Sequence, residues 1–383
     1  MNRLAFLAVV YAGAALFITA FWTYSATTEH YKNRFNSIVA IADGSAPAPF
    51  VKRRLAGDLG RGLAAVVPAQ CWQAVTAAVA DRPALAEVLH GRLRWRPQDY
   101  PVLLATTLLI WLSVVGFMFC CRWIARTVYE MPPWLGDLVG LAFGAALLGA
   151  GEAHRVYQWY PYDYPNAFVF ALVLGAQLAR RPWMLAAFAF AAYSKETSLL
   201  LIVSYVLLAP ERRSRGFWAT LSAMSAMFLA CRLWLALHYD NPPGADFWYP
   251  TRNALMVLRH LCLDFWPLPL LGVALWRFAA HWPRFPASLR KLLLLAVIQA
   301  GCSFFKGWLE EKRQYLELLP VGGLLMLQWV LMESGFGRLM TPREQALDEP
   351  AETAFGERVV VQDIRRTPEP RNDEAVGNAC RLA

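Results

Sequence analysis

The sequence predicts an all-α polytopic integral membrane helix bundle of about ten transmembrane helices, and three observations predict it. Hydrophobic residues make up 57% of the 383-residue chain and charged residues only 17%, against about a quarter charged in an ordinary soluble domain. Apolar runs near the length of a bilayer crossing recur along the chain with short polar segments between them. The basic residues are unevenly spread around those runs, so the net charge of +9 reads as a topology signal. A soluble protein of this charge would invite a nucleic-acid partner; here none is expected, and the partner is membrane lipid.

A spanning helix needs about 20 mostly apolar residues, fewer when it is sheltered inside a bundle. The windows lie at roughly 4–24, 101–121, 134–150, 165–180, 183–194, 197–209, 217–238, 265–281, 290–305 and 316–334. One helix running from Trp183 to Ala209 is the alternative for the fifth and sixth, since no Gly or Pro lies between Tyr193 and Leu199. Charge favours two short ones. With the N-terminus inside, ten crossings put thirteen Arg or Lys in short cytoplasmic segments and seven in short outer loops, as the positive-inside bias requires. A single helix would carry Glu211-Arg212-Arg213-Ser214-Arg215 outside.

The first window reads as a retained anchor, because its apolar stretch is longer than the core of a cleaved signal. The outer loop that follows, 25–100, carries interfacial amphipathic helices: from Phe50 to Val67 apolar residues fall at helical spacing with basic residues between them. Asn253 to Trp266 reads similarly, with continuation into the next spanning helix as its alternative. Residues 1–337 thus form the transmembrane domain. Residues 338–383, rich in Pro and mixed charge, read as a disordered cytoplasmic tail. The seven Cys show no CxxC spacing, and all but Cys71 and Cys380 lie in or beside apolar runs, so they suggest neither a disulfide scaffold nor a metal site.

Soluble-enzyme signatures are absent: there is no GxSxG, phosphate-binding GxxxxGK[ST], GxGxxG after a strand, or HExxH. Polar groups instead gather at the outer ends of the windows. They are Glu29 to Arg34, Tyr160 to Pro165 with Asp163, Ser194-Lys195-Glu196-Thr197-Ser198, Asp240 to Tyr249, and Glu310 to Tyr315, which holds Glu311, Arg313 and Tyr315. Arg232 joins them from inside an apolar run. The aromatic members are ordinary interface anchors, Lys195 with Glu196 fits a charged hairpin turn, and Arg232 is long enough to snorkel to headgroups. Ionisable groups at membrane depth are costly, however, and usually mark function. Arg and Lys suit a phosphate, and a carboxylate suits a general base on an acceptor hydroxyl.

The order of these features resembles the GT-C type of polytopic membrane glycosyltransferase, most closely its uncharacterised bacterial membrane-protein relatives. It rests on a large loop after the first helix, Tyr162-Asp163-Tyr164-Pro165 opening a helix that Arg180-Arg181 closes, Ser194-Lys195-Glu196-Thr197-Ser198 between two short helices, and Glu311-Lys312-Arg313-Gln314-Tyr315 before Leu318-Leu319-Pro320. The resemblance implies sugar transfer from a polyprenyl-phosphate donor at the outer face of the cell membrane. It gives Glu29, in Thr28-Glu29-His30-Tyr31, the place of the catalytic base, where relatives usually carry Asp. Relatives also tend to an Arg-Leu-x-Pro pattern, which here reads Arg54-Leu55-Ala56-Gly57. By position Lys195 and Arg313 would meet the donor phosphate, and the residues themselves add Arg232. Asp163, Glu196, Glu311 and Tyr315 would support these groups. No cofactor is required, although some relatives use a divalent cation. Two other readings stay open: a non-catalytic subunit of an envelope-polysaccharide assembly system, and a transporter of lipid-linked sugar.

Overall fold

The computed structural model describes residues 2–30, 38–152, 160, 162–210, 212–239, 248–262, 267–306 and 312–343; the side chains of 24–30, 92, 149–152, 260, 267–268 and 312–314 lie outside that description. Residues 1–343 form one compact unit, and 344–383 fall entirely outside the described residues. The unit is nearly all-α. Its helices are α1 (Arg3–His30), α2 (Ile38–Asp43), α3 (Arg54–Val66), α4 (Ala69–Ala80), α5 (Pro83–Ala86), α6 (Tyr100–Val128), α7 (Pro133–Glu152) and α8 (Asp163–Leu178). There follow α9 (Met184–Ser194), α10 (Leu199–Leu208), α11 (Arg215–His238), α12 (Pro250–Cys262), α13 (Pro267–Ala280), α14 (Ala287–Lys306) and α15 (Leu319–Glu333).

Among the described residues every apolar window of the sequence is helical, and five helices are long and apolar enough to cross a membrane unaided: 3–23, 97–128, 215–238, 287–306 and 315–333. The remaining windows give helices that do not reach that standard over their described residues. The break expected near residue 195 is present, because Lys195 adopts an extended backbone between α9 and a short 3-10 turn, Glu196–Ser198.

The central helix is α6, which packs against α1, α3, α7 and α8. Small residues let the helices approach, as membrane bundles require. A Cβ at Gly140 of α7 would collide with the Tyr11 hydroxyl and stand 2.9 Å from the Met118 carbonyl oxygen. That hydroxyl donates to the Asp137 carbonyl at 2.8 Å, fixing α1 on α7. The outward faces of α11, α13 and α14 stay apolar and open, with Leu233, Trp276 and Val297 all more than 60% exposed. Such faces are costly in water and natural in lipid.

The amphipathic stretch is α3, and it does more than lie flat. Its first turn docks into the bundle with Arg54, Leu55 and Ala56 buried, while Leu59, Leu63 and Val66 remain exposed. It then meets α4 at a bend of 95°. Residues 338–343, which the sequence assigns to the tail, pack back onto the bundle. Strand β1 (Tyr129–Glu130) pairs antiparallel with β2 (Thr341–Pro342), and Met340 is buried. At this end of the bundle Asp137 accepts from both Arg3, at 2.6 Å, and Arg122, at 2.6 Å.

Candidate functional site

The opposite end is built from four pieces of chain. After α9 the extended Lys195 turns the chain, and the Ser198 hydroxyl donates back to the Lys195 carbonyl at 2.7 Å. This turn sends two adjacent charges in opposite directions, Lys195 inward and Glu196 to the rim. At the start of α8, Asp163 and Asn166 stand three residues apart and share one helix face. The Tyr160 amide donates to the Asp163 carboxylate at 3.2 Å, and a carboxylate in the first turn suits the helix dipole. Glu317 arrives from the 3-10 segment Lys312–Leu318 that leads into α15. Arg53 stands between the turn Phe50–Lys52 and α3.

The inner layer is a buried ion cluster. One oxygen of Glu317 accepts from Lys195 Nζ at 2.7 Å, Asn166 Nδ2 at 2.6 Å and Thr197 Oγ1 at 3.1 Å. Asp163 lies 3.9 Å from the same ammonium. Two carboxylates therefore share one buried cation, and the second oxygen of Glu317 has no hydrogen-bond partner among the described residues.

The rim layer centres on Arg53. Its guanidinium meets both oxygens of Glu196, one of them through Nε at 3.2 Å. It also donates to the Tyr162 hydroxyl at 2.6 Å and sits 4.9 Å from the centre of that ring. Protein atoms crowd the Glu196 carboxyl on its inner side, which alone would raise its pKa. The charge and hydrogen bonds of Arg53, with Lys195 beside it, outweigh that and hold it down to about 2. Nearly half of the Glu196 side chain (46%) still meets solvent, against 13% for Arg53.

Two further arginines brace the frame. Arg232 donates to the Ala192 carbonyl and, at 3.5 Å, to the Lys52 carbonyl, so it ties the end of α9 to the loop that carries Arg53. Arg54, fully buried, donates to the carbonyls of Ile41 and Ala42 and to Asp58, which also accepts from Tyr193 at 2.6 Å. An apolar groove of about 230 Å³ runs alongside, between α3, α6, α8 and α9, lined by Leu55, Leu59, Leu109, Pro165, Phe168 and Phe190 among others. Its lining begins two residues past Arg53 and two past Asp163.

Of the residues singled out from the sequence, Asp163, Lys195, Glu196 and Arg232 come together here. Lys195 and Glu196 do not pair with each other, as a plain charged hairpin would have them, but with partners elsewhere. Arg232 caps backbone carbonyls. Tyr315 is half-buried and packs against the core. The backbone of Glu29 closes α1 and that of Arg313 lies in the 3-10 segment, their side chains outside the described residues, as is the whole of Glu311. Two members of the cluster do not stand out in the sequence: Arg53, which reads as one basic residue of an amphipathic face, and Glu317. A carboxylate between Leu316 and Leu318 at the head of an apolar run was the signal for the second. Among the described residues no group of three or more His, Cys, Asp or Glu is placed to hold a metal ion.

Fold and site define a nearly all-α chain with several membrane-length apolar helices and a two-layer charged cluster at one end of the bundle. Comparison with known protein families, curated proteins and solved structures finds no match.

Proposed function

We propose that this is a membrane glycosyltransferase of ten crossings, moving a sugar from a polyprenyl-phosphate donor to an acceptor hydroxyl at the outer face of the cell membrane. Its N-terminus and tail are cytoplasmic. The observation that carries the reading is the guanidinium-rich rim at Arg53 and Arg232 beside an apolar groove. Such a pairing suits a molecule with a phosphate at one end and a hydrocarbon chain at the other.

In the transfer the bond between the anomeric carbon and the phosphate oxygen breaks. A bond to the acceptor oxygen forms, and the acceptor's proton passes to a carboxylate, for which Glu29 at the end of α1 is the proposed base. The phosphate leaves on its lipid, its charge met by the arginines at the rim. Lys195, tied to Glu317 and Asp163, holds the turn that presents Glu196, and Arg313 is proposed to approach the phosphate from the segment before α15.

The experiment compares outer-envelope glycans and lipids, by mass spectrometry, in cells with the wild-type chain and with Glu29→Gln. Loss of a sugar from a defined product, with the variant inserted at normal level, is expected. Unchanged profiles in Glu29→Gln and in Arg53→Gln alike would remove the transferase reading. The buried pairing of Lys195 favours a second reading, a non-catalytic assembly subunit. There, partner recovery depends on the tail while no product depends on Glu29.

A further inference from the structure

We propose that Arg53 and Arg232 form an anion site for the phosphate of the lipid-linked substrate, and that Glu196 is an internal carboxylate occupying that site until the phosphate displaces it. The proposal rests on the lipid-phosphate reading above and adds to it a built-in competitor.

Three observations lead here. First, Glu196 meets Arg53 with both oxygens, the fork geometry in which a guanidinium also takes a phosphate. Second, Arg53 keeps its place without Glu196. The Tyr162 hydroxyl accepts one of its N–H groups at 2.6 Å, and the Tyr162 ring lies against it at 4.9 Å. Third, at the rim itself two guanidiniums face one contacting carboxylate, with Asp163 acting on Arg53 only from the inner layer. Arg232 lies within electrostatic reach of both Glu196 and Arg53. Its Nε–H is buried with no acceptor among the described residues, so one donor at the site is still unused.

Mobility is divided as such a device requires. Lys195 is anchored in the inner layer by Glu317, and Ser198 closes the turn on the Lys195 carbonyl. The backbone of the turn is thereby held while the Glu196 side chain, 46% exposed, can rotate into solvent and leave Arg53, 13% exposed, in position. An incoming phosphate then faces two guanidiniums with no carboxylate left between them, Asp163 staying in the inner layer beside Lys195.

The test uses the purified full chain in nanodiscs and two probes, farnesyl phosphate and inorganic phosphate, with binding read by calorimetry. A partly exposed ion pair worth up to about 1 kcal/mol masks its site by roughly fivefold. Glu196→Gln is therefore expected to bind farnesyl phosphate about fivefold more tightly than wild type. Arg53→Gln and Arg53→Lys should both lose at least tenfold, the second because it keeps the charge without the fork. A normal elution profile for Arg53→Lys separates lost binding from lost folding. The same gain with inorganic phosphate, at weaker affinity, would assign recognition to the phosphate and the remaining affinity to the groove. Unchanged or weaker farnesyl phosphate binding in Glu196→Gln, with wild type still binding, would overturn the competitor while leaving the lipid-phosphate reading intact. No binding by wild type or any variant would overturn both.

Discussion

Removing Lys195 is expected to cost far more than removing the carboxylate it touches. The ammonium lies 2.7 Å from Glu317 and 3.9 Å from Asp163, and both acids are almost fully buried. At an effective dielectric of about 20 the first contact alone is worth roughly 6 kcal/mol of gross attraction, most of it spent on desolvation. Lys195→Met leaves two carboxylates buried without a cation, a change that costs about 3–5 kcal/mol. Glu317→Gln keeps an oxygen for the donors Lys195, Asn166 and Thr197, and leaves Lys195 beside Asp163, so about 1 kcal/mol is expected. The assay is reversible unfolding in dodecyl maltoside–SDS mixed micelles, followed by tryptophan fluorescence. The double variant should recover at least about 1 kcal/mol relative to the sum of the singles. Lys195→Met within about 1 kcal/mol of wild type, or less damaging than Glu317→Gln, would refute this view of the inner layer.

Three more predictions concern the frame and the rim. Arg54→Leu strands the carbonyls of Ile41 and Ala42 and should destabilise the chain by about 3 kcal/mol, with faster limited proteolysis between α2 and α3 as the local readout. Gly140→Ala drives a methyl group against the Tyr11 hydroxyl and should lower the thermal midpoint by several degrees, and Tyr11→Phe on top should restore part of it. The pKa of Glu196, about 2 in the folded chain, lies below its ordinary 4.5, so the Arg53 pair contributes stability fully above about pH 4.5 and loses it as pH falls towards 2. Thermal midpoints measured across that window should fall more steeply for wild type than for Glu196→Gln.

How much of this was legible in the sequence follows from the range of each interaction. Helices depend on local hydropathy, and every apolar window became one. The break at Lys195 was readable too, since two adjacent charges inside an apolar run can be satisfied only where the chain turns. The partners were not readable. Lys195 finds Glu317 at a separation of 122 residues, and Arg53 finds Glu196 at 143. No periodicity spans such distances. Arg54 shows the same limit from another side. At helical spacing it is one more basic residue on an amphipathic face, yet it is fully buried because the carbonyls of Ile41 and Ala42, in α2, need donors that their own short helix does not supply. The membrane-like exterior of α11 and α13 was plain from composition, whereas the packing of α11 against α9 was not.

Under the proposed function, the charged rim and the groove serve transfer from a lipid-linked sugar phosphate. Donor turnover tests it most directly. Purified protein in nanodiscs is supplied with radiolabelled polyprenyl-phosphate sugar and acceptor lipids from cells lacking the protein, and free polyprenyl phosphate is measured over time. Wild type should release it together with a labelled product, Glu29→Gln should release none, and Arg53→Gln should be slowed at least tenfold. Release that is absent in wild type, or equal in all three, would rule out transfer at this site.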